Sequence, residues 1–107
     1  MGQDFQGDGP PPREVPRRIR RISVNAECSL RRSGQLNYRV RVFDASPLGC
    51  RLEFVERPQL EERVWIKFDG LSAVEGVVCW VEGSCAGIEF VPAIHPAVFD
   101  LLVPRLN

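Results

Sequence analysis

Leu36, Tyr38, Val40 and Val42 alternate with Asn37, Arg39 and Arg41, and this strict period of two constrains the chain more than any other feature. Successive side chains of an extended strand point to opposite faces, so one set is buried and the other is solvated. The same alternation recurs along the chain. Ile22–Leu30 reads as a first strand, and Cys50, Leu52 and Phe54 alternate against Arg51 and Glu53. Val64, Ile66 and Phe68 follow, then Val74, Val78 and Trp80, then Cys85–Phe90. The breaks between these runs are turn chemistry: Arg31-Arg32-Ser33-Gly34, the Asp44–Gly49 loop, Arg57-Pro58, Asp69-Gly70 and Glu82-Gly83-Ser84. Asp-Gly is a strong hairpin signal, and proline cannot donate to a ladder.

Six such strands with no helical crossovers predict an all-β fold, an antiparallel barrel or sandwich. Closure into a six-stranded antiparallel barrel is favoured, because so small an open sheet would leave unpaired edges. The period changes only near the end. Pro96 suits a first helical turn, Val98, Leu101 and Leu102 share one face at helical spacing, and Pro104 stops the run. A short C-terminal α-helix capping the barrel is expected.

The 107 residues, 44% of them apolar, suffice for one hydrophobic core. Residues 1–16 read as a flexible N-terminal arm, since Gly2, Gly7, Gly9 and Pro10, Pro11 and Pro12 hold neither helix nor ladder; residues 17–107 form the barrel domain. No apolar run approaches the roughly 20 residues that cross a bilayer. The N-terminus carries no apolar stretch of a secretory signal, so no membrane insertion and a cytoplasmic location are expected. Cys28, Cys50, Cys79 and Cys85 form no C-x-x-C pair, which argues against zinc and leaves them as core or near-surface thiols.

Catalysis finds little to stand on. Nucleophilic mechanisms need an activator, usually histidine, and the single His95 lies before a proline at a helix start, where capping or surface exposure is its expected role. Glu61 and Glu62 are a paired-carboxylate candidate, but they fall in what reads as a solvated turn. No glycine-rich strand–loop–helix phosphate cradle is present. The chain reads as a non-enzyme needing no cofactor and no metal.

Formal charge is zero, with 14 basic and 14 acidic residues, which argues against a general nucleic-acid coat. The balance conceals an asymmetry: Arg13, Arg17, Arg18, Arg20 and Arg21 are opposed locally only by Glu14, and Lys67 is the single lysine. A GC-rich coding sequence would explain most of that bias, yet arginine is also the residue for bidentate recognition of phosphate or a guanine edge. Two constellations result. Arg17 and Arg21 have the spacing R-x-x-x-R, and Asp44, Ser46 and Gly49 have the spacing D-x-S-x-x-G in a loop between two strands. Each alone is ordinary: a solvated charge run and a set of turn residues. Together they match a ligand carrying phosphates and guanine. Guanidinium groups pair with phosphate oxygens or with guanine O6 and N7, and a carboxylate and a hydroxyl take the N1–H and the exocyclic amine.

These motifs, in this order around a first strand entered by Arg21-Ile-Ser-Val-Asn, resemble the PilZ family of cyclic di-GMP receptors. Ser46-Pro-Leu-Gly-Cys-Arg-Leu52 and Trp80-Val-Glu-Gly-Ser-Cys-Ala-Gly-Ile-Glu-Phe90 extend the resemblance, which covers roughly residues 16 to 103. It implies a six-stranded barrel with a C-terminal helix, no catalytic activity, and a nucleotide held on the outer surface beneath the N-terminal arm. Arg17 and Arg21 would grip phosphate and guanine, Asp44 and Ser46 would read a guanine edge, and Gly49 would let the backbone turn close to the ligand. Arg18 and Arg20 add charge beyond the motif, available to phosphate or facing solvent. A downstream protein partner is also implied, because no output module is attached.

Two rival readings differ in ligand. One is a barrel of this family that binds a protein and not the nucleotide. The other is a single-stranded nucleic-acid module, against which stands the apolar parity of Phe54, Phe68 and Phe90; such modules pair basic grooves with exposed aromatics. Trp65, opposite in parity to Val64 and Ile66, is the exception and a candidate partner-facing residue.

Overall fold

Residues 21–34 and 36–106 are described in a computed structural model of the chain. The expected arm and Arg17, Arg18 and Arg20 lie outside the described residues. Six strands, β1 (Ile22–Arg32), β2 (Tyr38–Ser46), β3 (Gly49–Glu53), β4 (Arg63–Lys67), β5 (Val74–Glu82) and β6 (Cys85–Phe90), are followed by helix α1 (Pro96–Leu102) and a 3-10 turn at Val103–Leu106. All neighbouring strands are antiparallel, and the sheet closes in the order β1-β2-β3-β6-β5-β4. The expected all-β barrel with a short C-terminal helix is what forms.

The alternation explains the wall. Cys28 and Leu30, Val40 and Val42, Cys50 and Leu52, Val64 and Ile66, Val78, and Ala86 and Ile88 all point inward and are buried. Phe54, Phe68 and Phe90 join them, Phe68 meeting Phe90 edge to face at 6.2 Å between ring centres. Each buried Val, Leu, Ile or Phe side chain contributes about 1.5–3 kcal/mol of burial free energy, which is what offsets the entropy of fixing so many short strands. Cys28 and Cys50 behave as small apolar residues: burial raises the Cys28 thiol to about 12 and pushes Cys50 well up in the same direction.

β3 pairs with β6 rather than with its sequence neighbour β4. The segment between β3 and β4 crosses one end of the barrel and delivers β4 beside β1, where Leu30 pairs with Ile66 and Arg31 with Trp65. Arg32 anchors that end. Its Nε and Nη2 donate to the two carboxylate oxygens of Glu62 at 2.6 and 2.8 Å, and Nη1 donates to the Glu56 carbonyl at 2.9 Å. Glu62 is thus not the solvated turn residue that its position suggested, and β1 runs two residues past Leu30 so that Arg32 can reach it.

Three other local expectations are corrected. Leu36 lies outside β2 and is 88% exposed, because β2 begins only at Tyr38. On α1 the buried residues are Phe99 and Leu102, whereas Val98 and Leu101 are exposed. The chain also continues through Pro104 as a 3-10 turn that buries Leu106, the fourth anchor of this cap being Ile94. His95 does cap the helix, its Nδ1 accepting from the Ala97 N–H at 3.0 Å. Trp65 faces outward and is half-buried under the Arg31 guanidinium, 4.2 Å from the ring centre.

Candidate functional site

The Asp44–Gly49 segment is not a loop interrupting two strands. Asp44, Ala45 and Ser46 complete β2, Gly49 opens β3, and only Pro47 and Leu48 turn between them, with Ser46 paired to Gly49. Ser46 is fully buried, and its Oγ accepts from the Leu48 N–H at 3.1 Å, fixing the turn from inside. The turn's carbonyls face the end of β6 and the segment after it: Leu48 C=O accepts from Phe90 N–H at 2.9 Å and Pro47 C=O from Ile94 N–H at 2.8 Å.

Gly49 has a reason of its own. A Cβ there would lie 2.1 Å from the Ile88 carbonyl oxygen, so only glycine lets β3 approach β6. In the barrel, then, Ser46 and Gly49 hold the shape of the turn rather than open towards solvent. A different residue of the motif is partly accessible.

That residue is Asp44. An irregularity in β2 between Val42 and Asp44, and another in β1 between Ser23 and Ala26, break the regular ladder beside it. Such bulges re-aim side chains, and here they accompany two neighbours, Phe43 and Asp44, that are both partly accessible. Asp44 is paired to Ser23 on one side and to Arg51 on the other. Two guanidinium groups converge on its carboxylate. Arg21 Nε lies 3.6 Å from Oδ1, and Arg51 Nε lies 3.0 Å from Oδ2. The Asp44 side chain is 13% exposed, whereas those of Arg21 and Arg51 are 46% and 42% exposed. Asp44 Oδ1 and Arg51 Nε are buried without a well-formed hydrogen bond.

Arg21 and Asp44, 23 positions apart, are therefore brought together, because the entry to β1 runs beside the end of β2. Arg17, Arg18 and Arg20 lie outside the described residues. Arg51 was absent from the sequence-derived site. It sits on the polar side of the β3 alternation, and nothing short of the β2–β3 register places it against Asp44.

The row continues across the barrel. Arg51 pairs with Gly87 of β6, and Gly87 with Trp80 of β5. The Trp80 indole lies over Gly87 so closely that a Cβ there would meet its Nε1 at 2.1 Å. Phe43 flanks the other side, with the guanidinium carbons of Arg51 and Arg41 at 5.1 and 5.7 Å from its ring centre. No group of three or more potential metal ligands occurs among the described residues. None of the helices among them is long and apolar enough to cross a membrane.

The chain is thus a small closed barrel that carries an arginine-and-carboxylate cluster on its wall. The PilZ domain family model matches residues 15–103, and the chain belongs to that family. PilZ domains are in general cyclic di-GMP-binding receptor domains, typically without catalytic activity. No curated protein matches the chain.

Proposed function

We propose that this protein is a non-enzymatic cyclic di-GMP receptor that clasps the nucleotide on the barrel surface between the arginine motif and the β2–β3 turn. The observation that carries the reading is the convergence of Arg21 on Asp44, within an intact R-x-x-x-R and D-x-S-x-x-G pair. Arg17 and Arg21 take phosphate and a guanine edge, while Asp44 accepts the guanine N1–H and exocyclic amine. Ser46 and Gly49 serve the ligand by holding Asp44 in place, a role their burial favours over direct contact for the serine. Arg18 and Arg20 add local positive charge that favours a bis-phosphate ligand. Binding orders the segment before β1 over the nucleotide, and the reordered surface signals to a protein partner in the bacterial cytoplasm.

Calorimetric titration with cyclic di-GMP at physiological salt tests this, with GTP as control. Saturable heat with cyclic di-GMP alone is the expected result. A folded protein that gives no heat would instead be a family member that acts by binding another protein.

A further inference from the structure

We propose that Arg51 is a further ligand-binding residue of this site, one whose guanidinium rests on Asp44 in the free protein and contacts a phosphate of the bound nucleotide. The inference rests on the receptor reading above and adds to it a residue outside both motifs.

Arg21 and Arg51 share the one carboxylate of Asp44, so this cluster alone carries one positive charge in excess. Such an excess on a half-exposed surface favours an anion.

Backbone pairing to Asp44 on one side and Gly87 on the other fixes where Arg51 leaves the wall. The Phe43 ring, 5.1 Å from its guanidinium carbon, holds the head group beside Asp44. Gly87 adds no side chain on the far side, where the Trp80 indole lies over it. An arginine placed this way loses little freedom on binding, which favours a bidentate phosphate contact.

Among the described residues, Arg51 Nε is 3.0 Å from Asp44 Oδ2 yet makes no well-aligned hydrogen bond, and Asp44 Oδ1 has no hydrogen-bond partner. Both groups gain when a ligand supplies an N–H to the carboxylate and an oxygen to the guanidinium. A ligand presenting a guanine edge and a phosphate oxygen a few ångströms apart meets both needs at once.

The test is titration of wild type, Arg51→Gln and Arg51→Lys with cyclic di-GMP at two salt concentrations, with thermal unfolding of each variant as the folding control. Arg51→Gln is expected to bind at least tenfold more weakly with a shallower salt dependence. Arg51→Lys, which keeps the charge but loses the fork, is expected to lie between. The Nε–Hε resonance of Arg51 in the wild type should shift on saturation. If Arg51→Gln binds as tightly as wild type or tighter, Arg51 only competes for Asp44 and the inference falls while the receptor reading stands. If wild type itself does not bind, the receptor reading falls and this inference with it.

Discussion

Arg32 and Glu62, 30 positions apart, form a two-pronged ion pair that closes one end of the barrel, with Nε–Oε2 at 2.6 Å and Nη2–Oε1 at 2.8 Å. Arg32 is 8% exposed, and the same Glu62 carboxylate accepts the Gln59 N–H at 3.0 Å. Glu62→Ala therefore strands the Arg32 head group without its carboxylate. It should lower the unfolding free energy by about 3 kcal/mol in denaturant titrations. Replacing both partners, Arg32→Met with Glu62→Leu, should recover most of that loss, because the uncompensated charge is then gone.

The same pair predicts an acid limb of stability. Arg32, through its hydrogen bonds, holds the Glu62 carboxyl below its ordinary value of 4.5. A carboxyl depressed in the folded state stabilises fully above its unfolded pKa, and that contribution is lost as pH falls through the folded value. Chemical unfolding between pH 6 and pH 3 should show wild type losing stability on acidification. Glu62→Gln should lose measurably less over the same range, starting from a lower value.

Gly49→Ala should destabilise the barrel by about 3 kcal/mol, since its Cβ would collide with the Ile88 carbonyl, which the β3–β6 ladder holds. Gly83→Ala is the instructive comparison. Its φ of +63° strains an alanine, but nothing lies within 4 Å, so a cost of roughly 1–2 kcal/mol is expected from the backbone alone. Thermal unfolding of the two proteins side by side separates a packing requirement from a conformational one.

The four thiols should divide by location. Cys28 and Cys50 are buried inside the barrel, and burial raises the Cys28 thiol to about 12, which suppresses the reactive thiolate. Cys79 is exposed and Cys85 is partly exposed. Under native conditions a thiol reagent should label Cys79 first, then Cys85, and leave Cys28 and Cys50 untouched until denaturant is added. Peptide mapping of the labelled protein reads the order directly.

In the binding reaction, Asp44→Ala should weaken cyclic di-GMP by tenfold or more, as the loss of a charge-assisted hydrogen bond of about 1.5–3 kcal/mol requires. It also leaves Arg21 and Arg51 facing each other without their shared carboxylate. Retention of wild-type affinity in calorimetry would remove Asp44 from the site.

The strands themselves were legible in the chain. A period of two is a local property, and wherever it ran unbroken, as over Val40–Val42 or Val64–Phe68, the buried and exposed faces came out as the alternation indicates. Local signals failed where a tertiary partner decided the outcome. Glu62 reads as a turn carboxylate until Arg32 is seen crossing the barrel end to meet it, and the buried face of α1 depends on what lies beneath Phe99 and Leu102 rather than on its spacing alone. Motif spacing marked Arg21 and Asp44 as one site but could not reveal that Ser46 and Gly49 are held by the turn and the next strand. Nor could it find Arg51, whose place beside Asp44 exists only once β2 and β3 are in register. By itself, then, the sequence determined the class of fold and the chemistry available to the site, because side-chain parity and residue type are written residue by residue. Strand order, and the identity of the groups that share the Asp44 carboxylate, were decided by barrel closure, because only pairing between distant strands brings those side chains to a common face.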